Sequence, residues 1–274
     1  MEKSLSSICN WVPCPRSSSF LRPFHFFKGR SPALSPFSSS ICCRHLHPSS
    51  SSSSPVDRTL SDIKNSGIIA CLRAESSQLA IEAARAAISG GISVLEIVMS
   101  TPDVFEILQQ LVQEYPTITF GVGTVLNDKD AKKALLSGAK FLMSPAIVKE
   151  IMSVVHAGEA LYIPGVMTPT EILSAYNMGA KIVKVYPVSA LGGVQYIAAI
   201  RKPFSHIPMV ASQGVTIDLL GDYILQGASA VLLSDAIFSK EAMGRKDFNA
   251  IYRLAQLAVF EGKKALERKR NELP

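Results

Sequence analysis

The sequence of 274 residues has few of the features that mark several common classes of protein. It contains five cysteines, but four of them lie within the first 54 residues, so that only Cys71 remains in the rest of the chain. One cysteine can build neither a disulfide framework nor a zinc site, and a single cysteine in an apolar strand is most often part of the core. We therefore interpret Cys71 as a core residue.

Long apolar runs and a strongly basic body are also missing. No uninterrupted apolar run approaches the roughly 20 residues of a membrane-spanning helix, so we expect no association with a membrane. The whole chain has a net charge of +6, but the first 54 residues hold six basic residues and one acid; subtracting these from the totals of 28 and 22 leaves a net charge near +1. Binding to nucleic acid would need a basic stripe on the folded domain, and we expect none.

The amino-terminal segment has its own composition, since residues 1–54 contain 17 serines, six lysines or arginines, and Glu2 as the only acid. Such a segment cannot bury a core, and serine-rich, basic, acid-poor termini are typical of organelle transit peptides. We predict a disordered transit peptide of a plant organelle-targeted protein over residues 1–54 and a folded domain over residues 55–274. Because serine outweighs arginine, a chloroplast address is preferred, with the mitochondrion as the alternative.

From Gly67 onward, a short β-rich run alternates eight times with a longer amphipathic run. The spacing suits one strand, one helix and two short loops per unit. Glycines at the ends of the amphipathic runs support the boundaries. So do the residues at their starts, all suitable as caps or first-turn residues: Thr101-Pro102, Asn127-Asp128, Thr168-Pro169 and Thr216. The β-rich runs begin near Gly67, Ser93, Ile118, Phe141, Ala160, Lys181, His206 and Ala230.

Eight such units in about 200 residues predict an α/β fold, a (β/α)₈ TIM barrel formed as a single domain. A doubly wound open sheet is the alternative, but no Gly-x-Gly-x-x-Gly turn follows the first strand to support a dinucleotide site. Active sites of barrels lie at the carboxyl ends of the strands. The polar or turn residues predicted there are Arg73, Thr124, Pro145, Lys184, Ser212, Gly214 and Ser234, while Glu96 lies within the second strand.

Two ionisable residues stand where buried strands should be apolar. Lys184 interrupts Val-Lys-Val-Tyr and Glu96 interrupts Val-Leu-Glu-Ile-Val, in strands that we expect to adjoin. Lys184 alone could extend its ammonium group to solvent, and the two together could form a structural ion pair. However, a desolvated amine can attack a carbonyl group to give a Schiff base, and a buried carboxyl group can take and give protons. Chemistry is therefore the preferred interpretation, with cleavage of a carbon–carbon bond next to a carbonyl group.

A metal-dependent reaction is not expected. His156 and His206 are the only histidines after residue 54, and neither is predicted at the carboxyl ends of the strands. We accordingly expect no metal and no other cofactor.

Six stretches in order give the chain a resemblance to a known family, the class I aldolases that act on 2-keto-3-deoxy-6-phosphogluconate (KDPG) or 4-hydroxy-2-oxoglutarate (KHG). They extend through nearly all of the sequence after the leader. These stretches are residues 89–97 with 101–102, 121–127, 141–145, 163–171, 184–187 and 192–194.

The resemblance implies that Lys184 is the Schiff-base lysine and Glu96 the general acid/base. It further implies that Thr124 helps to hold the substrate carboxylate and that Tyr186 is the aromatic residue beside the lysine. The expected substrate is a small 2-oxo acid, with or without a phosphate group, which is cleaved to pyruvate and an aldehyde. A homotrimer is also implied.

Three departures from the family pattern leave the substrate open. Ser100 stands where the phosphogluconate branch usually has an arginine, and a hydroxyl group cannot replace a bidentate cation; Arg73 could take over, unless it pairs with Glu75. Gln213 replaces a glycine of the phosphate-binding turn, and Asp235 follows Ser234 where a glycine pair is usual. A KHG-type or phosphogalactonate-type aldolase, or a catalytically reduced barrel that binds an oxo acid or phosphate, stays as an alternative.

Overall fold

A computed structural model of the protein describes residues 53–155 and 159–272. Except for residues 53 and 54, the predicted transit peptide lies outside these ranges, as does His156. The division into a leader and a folded domain at residue 55 therefore stays a prediction.

The strands form one parallel sheet that is nearly closed into a barrel. Their order is β5-β4-β3-β2-β1-β9-β8-β7-β6, so the two edge strands of the sheet, β5 and β6, follow one another in the chain. The strands are β1 (Ile68–Leu72), β2 (Val94–Val98), β3 (Thr119–Gly123), β4 (Phe141–Met143), β5 (Leu161–Ile163), β6 (Gly165–Val166), β7 (Val183–Val185), β8 (Met209–Ser212) and β9 (Ala230–Leu233).

The prediction of a (β/α)₈ barrel is confirmed, with one strand divided in two. Pro164 separates β5 from β6 because a proline has no N–H group to give to the sheet. Its carbonyl oxygen nevertheless accepts a hydrogen bond of 2.8 Å from the backbone N–H of Lys184. Thus β5 and β6 together fill the place of the fifth predicted strand and join the two edges of the sheet.

Helices surround the barrel and follow the strands. Thr168, Asn127 and Thr216 cap helices as the sequence predicts, since each side chain accepts a hydrogen bond from a backbone N–H of the first turn. The helices are α1 (Pro55–Ser66), α2 (Ser77–Ser89), α3 (Val104–Glu114), α4 (Asp128–Leu136), α5 (Lys149–Val155), α6 (Pro169–Asn177), α7 (Gly193–Arg201), α8 (Ile217–Leu225), α9 (Lys240–Arg245) and α10 (Phe248–Glu272).

Alternation along each strand divides the apolar side chains into two layers. The outer layer packs under the helices and includes Leu95 and Ile97 of β2 and Val183 and Val185 of β7. The barrel interior contains the residues between them in the sequence, because successive side chains of a strand point to opposite faces. Its apolar residues on or directly before the strands are Ile69, Cys71, Val94, Val98, Phe141, Met143, Leu161, Ile163, Ile182, Val210, Ala230 and Leu232.

Helix α1, which precedes the eightfold alternation, packs at the amino-terminal end of the barrel. Ile63 is fully buried and belongs with Val56 to the barrel interior. Asp57 binds Lys181 just before β7 at 2.7 Å, and Asp62 accepts a hydrogen bond of 2.8 Å from Thr119 at the start of β3. This end is therefore filled, and active sites of such barrels lie at the opposite end, at the carboxyl ends of the strands.

None of the helices in the described parts of the chain is long and apolar enough to cross a membrane.

Candidate active site

Lys184 lies in the middle of β7 with only 7% of its surface exposed. Its side chain shares the face of Ile182, which belongs to the barrel interior. The ammonium nitrogen lies 5.4 Å from the centre of the Tyr186 ring, in a cation–π contact. The alternative in which Lys184 extends into solvent does not fit this burial.

Glu96 lies on β2, between Val94 and Val98 on the interior face, and is 1% exposed. Its Oε2 atom is fully buried and has no hydrogen-bond partner among the described residues. A buried carboxylate without a partner is costly, and such groups are therefore rare outside functional sites.

The two residues do not lie on adjoining strands, which corrects the sequence-based expectation. β2 pairs with β1 and β3, whereas β7 pairs with β6 and β8. In the closed barrel these strands lie on opposite walls, and Lys184 and Glu96 reach into the interior from both sides. In the described ranges neither residue takes part in an ion pair, so the structural ion pair is not formed.

Gly123, at the end of β3, makes room for the Glu96 carboxyl group. A Cβ atom at this position would lie 1.4 Å from Oε1 and 2.4 Å from the Cδ atom of Glu96. Any side chain larger than hydrogen would thus displace the carboxyl group. Gly123 is not among the site residues predicted from the sequence, although a glycine inside a strand often marks such a close approach.

Cys71 lies beside Glu96, since the two residues are Cα partners across the β1 and β2 strands. Its thiol belongs to the barrel interior, as the core interpretation predicted. Burial raises the pKa of the thiol well above its ordinary value, and the neighbouring charge of Glu96 adds to the shift, while Lys184 and Arg73 oppose it. The thiol therefore keeps its proton at neutral pH.

Two residues that follow strands have backbones in the left-handed region. Thr124, directly after β3, has a φ of 61°, and Gln213, directly after β8, has a φ of 80°. Such conformations cost about 1–3 kcal/mol for residues other than glycine and cluster at functional sites. Both residues lie at the carboxyl-terminal mouth of the barrel, where the sequence placed Thr124 in substrate binding.

The loop after β4 is fixed closely over β6. A Cβ atom on Gly165 would lie 2.2 Å from the carbonyl carbon and oxygen of Pro145, so Pro145 passes directly above that glycine. The preceding Ser144 is fully buried, and its hydroxyl group lies 2.6 Å from the Tyr162 hydroxyl group, which also accepts a hydrogen bond from the backbone of Val148. These contacts hold Pro145 at the mouth.

Arg73 lies one residue beyond β1, at the mouth, with an exposed side chain. It has no ion pair in the described ranges, so the pairing with Glu75 considered from the sequence is not formed. Its charge nevertheless acts on the Cys71 thiol. Ser100 is exposed near the same rim, after β2. An exposed guanidinium group is thus present at the rim that also carries Ser100.

The predicted phosphate-binding residues lie on β8 and after β9. Ser212 is buried at the end of β8, Gly214 follows Gln213, and Ser234 is half-buried after β9. The Ser189 hydroxyl group donates a hydrogen bond of 2.6 Å to Oε1 of Gln213, which ties the β8 loop to the turn after β7. Asp235 is exposed. The side chain of Gln213 is therefore held at this rim by its neighbour.

Within residues 53–155 and 159–272, no group of three or more His, Cys, Asp or Glu side chains could hold a metal ion.

The fold and these side chains define a class, that of parallel barrels with a buried lysine and a buried carboxyl group on opposite walls of the interior, neither of them in an ion pair with another described residue. Sequence comparison identifies the family. The profile of the family described as "Aldolase: KDPG and KHG aldolase" matches residues 60–254. The chain belongs to this family, and it is an aldolase.

Relatives of known name agree with this assignment. The KHG/KDPG aldolase of Escherichia coli K12 is 29% identical over 185 residues, which cover 68% of this chain and 86% of that protein. A structure of KDPG aldolase from Legionella pneumophila, with pyruvate captured as a covalent carbinolamine intermediate, has a TM-score of 0.68 and 25% identity, covering 73% of this chain and 97% of that one. A designed cube-shaped cage made by fusing symmetric oligomeric domains has a TM-score of 0.67 and 25% identity, covering 74% of each chain.

Proposed function

We propose that the protein is a class I aldolase that cleaves a 2-oxo-4-hydroxy acid to pyruvate and an aldehyde through a Schiff base on Lys184. The observation that carries this proposal is the pair of buried, unpaired groups, Lys184 and Glu96, on opposite walls of one barrel interior. An unpaired amine in an apolar site is a nucleophile, and a carboxyl group opposite it can move protons.

The reaction begins when the Lys184 amine attacks C2 of the substrate and the carbonyl oxygen leaves as water, which gives an iminium ion. Glu96 then takes the proton of the 4-hydroxyl group. The C3–C4 bond breaks, its electron pair moves toward the iminium nitrogen, and the aldehyde departs from the resulting enamine. Glu96 returns its proton to C3, and water releases pyruvate and the free amine. The iminium ion is the electron sink, so no metal is required in this mechanism.

The substrate carboxylate has binding groups at the mouth. Thr124 and Arg73 lie just beyond β3 and β1, on either side of Glu96 on β2. Arg73 is free of competing ion pairs in the described ranges, and a guanidinium group binds a carboxylate through two parallel hydrogen bonds. Arg73 thus takes the part of the cation that Ser100 cannot supply.

KDPG is the substrate that we propose, with glyceraldehyde 3-phosphate as the second product. Support comes from the names of the relatives and from Ser212, Gly214 and Ser234 at the rim that would receive a phosphate group. The tethered Gln213 at the same rim favours the second candidate, a KHG-type or phosphogalactonate-type substrate. A side chain in place of glycine reduces the approach of phosphate to backbone N–H groups.

Location and assembly are further parts of the proposal. The serine-rich composition of residues 1–54 supports import into the chloroplast, with the mitochondrion as the alternative. The fit of this chain to a domain of a cage built from symmetric oligomers supports a homo-oligomer, which we propose to be a trimer.

Borohydride reduction in the presence of pyruvate tests the mechanism. We expect a reduced pyruvyl adduct in the intact mass, mapped to the peptide that contains Lys184. Lys184→Met should remove the adduct, whereas Lys181→Gln, which changes an exposed lysine of the same segment, should keep it. A folded wild-type protein without any adduct would contradict the mechanism and support a barrel that only binds its ligand. Rates with phosphorylated and unphosphorylated 2-oxo acids then separate the two substrate candidates.

A further inference from the structure

One ionisable side chain of the barrel interior has no part in the reaction described above. Cys71 on β1 shares the interior face of the sheet with Ile69 and is the Cα partner of Glu96 on β2. Paired residues of neighbouring strands are about 4.8 Å apart and point to the same face. The thiol and the carboxyl group are therefore side by side.

Glu96 needs a hydrogen-bond donor that its other neighbours cannot supply. Its Oε2 atom is buried without a partner, and the interior-facing neighbours on its own strand are Val94 and Val98. On the other adjoining strand the neighbours are Gly121 and Gly123, whose backbones belong to the sheet. Five residues of β1, β2 and β3 flank Glu96 on the interior face, and Cys71 is the one among them whose side chain has a hydrogen to donate. The other four are Val94, Val98, Gly121 and Gly123.

The Cys71 thiol is in the neutral, protonated state that a hydrogen-bond donor to Glu96 needs. Burial has the largest effect on the pKa of Cys71 and raises it, the charge of Glu96 raises it further, and Lys184 and Arg73 oppose these effects. These three residues are the charged groups that act on the thiol from β2, β7 and the end of β1. A thiol that keeps its proton beside a carboxylate can donate a hydrogen bond to it.

We propose that Cys71 is a positioning residue, whose S–H group donates a hydrogen bond to the Glu96 carboxylate and orients it for proton transfer. The proposal rests on the proposed aldolase function and adds to it the group that holds the general base. A donor to the ionised carboxylate favours the charged, proton-accepting form. Loss of the donor should slow proton transfer and should leave Schiff-base formation on Lys184 unchanged.

The test follows hydrogen–deuterium exchange at the pyruvate methyl group by NMR, with the full chain in D₂O. This exchange needs the Schiff base and a base, but neither an aldehyde nor a phosphate group. In Cys71→Val we expect the borohydride adduct at the wild-type level and exchange slower by roughly tenfold, a part of the 10²–10⁴ that a positioned base supplies.

Cys71→Ser retains a donor, so we expect its exchange rate to stay near that of the wild type. Ile69→Val, a change on the same face of β1 but farther from Glu96, controls for repacking and should leave exchange unchanged. If Cys71→Val does not fold, Cys71→Ala replaces it with the same expected results. A wild-type exchange rate in the apolar variant would overturn the positioning role alone, whereas a wild-type protein without an adduct would overturn the aldolase mechanism together with it.

Discussion

A residue without a side chain determines where the carboxyl group of Glu96 can lie. Gly123 has an ordinary strand backbone, so a special backbone conformation does not require glycine there. Its missing side chain instead leaves room for the Glu96 carboxyl group, because Oε1 occupies the position that a Cβ atom would take. Gly121 acts in the same way toward the ring of Phe141, whose atoms lie 2.3–2.5 Å from the corresponding position. At Gly121 and Gly123 the interior face of β3 therefore consists of backbone only, and the side chains of Phe141 and Glu96 pack against it.

Gly123→Ala should reduce kcat by about 100-fold, since the added methyl group displaces the Glu96 carboxyl group by more than an ångström and misplacement of this size has that effect. The pyruvyl adduct on Lys184 should still form, because the lysine lies on the opposite wall. Steady-state kinetics and borohydride trapping measure the two effects.

Gly244→Ala is the matched control for this change. A Cβ atom on Gly244 has nothing within 4 Å, and its position in α9 favours alanine over glycine. The control should keep wild-type activity. An unchanged kcat in Gly123→Ala would show that Glu96 does not need this space.

At the scale of the element, the start of α6 fixes the loop that follows β6. The capping box of Thr168 and Glu171 includes Oε2 of Glu171, which accepts hydrogen bonds from the backbone N–H groups of Met167 at 2.7 Å and Thr168 at 2.8 Å. The Tyr196 hydroxyl group of α7 donates to the carbonyl oxygen of Met167 at 2.6 Å. The loop between β6 and α6 is thereby tied to two helices.

This capping carboxylate predicts a pH-dependent stability. The hydrogen bond from the Met167 N–H group lowers the pKa of Glu171 below its ordinary value of 4.5, and the hydrogen bonds from Thr168 lower it further. Burial acts in the opposite direction but is the weaker effect. Because the folded pKa is lower than the unfolded one, the stabilisation is present above about pH 4.5 and is lost as the pH falls through the folded pKa. Glu171→Gln should therefore lower the free energy of unfolding by up to about 1 kcal/mol at pH 7 and have little effect at pH 3.

Urea unfolding at both pH values measures this difference. Asp218→Asn provides the control, as Asp218 lies in the first turn of α8 but does not form such a capping box. Its effect at pH 7 should be the smaller of the two. Equal effects at pH 3 and pH 7 for Glu171→Gln would refute the role of the charge.

The elements also show what the sequence could and could not predict. Regular spacing and local capping chemistry were enough for the barrel and for the starts of α4, α6 and α8. The cap predicted at Thr101 was wrong: α3 begins at Val104, and the Thr101 hydroxyl group instead accepts a hydrogen bond from the backbone of Ala74. A threonine before a proline suits a cap locally, but here a contact between two loops determines its position.

At the scale of the whole molecule, a helix that is not part of the repeat closes one end of the barrel. Helix α1 has apolar residues at the spacing of an amphipathic helix, namely Val56, Leu60 and Ile63. It lies before Gly67, where the predicted alternation of strands and helices starts, and was therefore not predicted. The neighbours of Glu96 could not be predicted from the sequence either, because the order and register of the strands determine that Cys71 and Gly123 lie beside it. Residue types predicted Lys184 and Glu96 as the reacting groups that we propose, and tertiary contacts determine which residues lie beside them.

Ile63→Ala should lower the free energy of unfolding by about 2–5 kcal/mol, since it leaves a cavity at the filled end of the barrel. The KM for a 2-oxo acid should stay unchanged because the mouth is at the other end. Leu136→Ala is the control, as Leu136 is 85% exposed, and its effect should remain within about 0.5 kcal/mol. Denaturant unfolding together with steady-state kinetics measures both quantities, and a raised KM in Ile63→Ala would show that the two ends are coupled.

The arrangement of Lys184 and Glu96 on opposite walls also bears on stereochemistry. An enamine bound to Lys184 is planar and has two faces, and in the proposed mechanism its proton comes from a single carboxyl group that reaches the interior from β2. Beside that group, the bare backbone at Gly121 and Gly123 offers no second acid. In this mechanism each new C–H bond forms on one face of the enamine. A methyl group that carries hydrogen isotopes would therefore be formed with a single configuration.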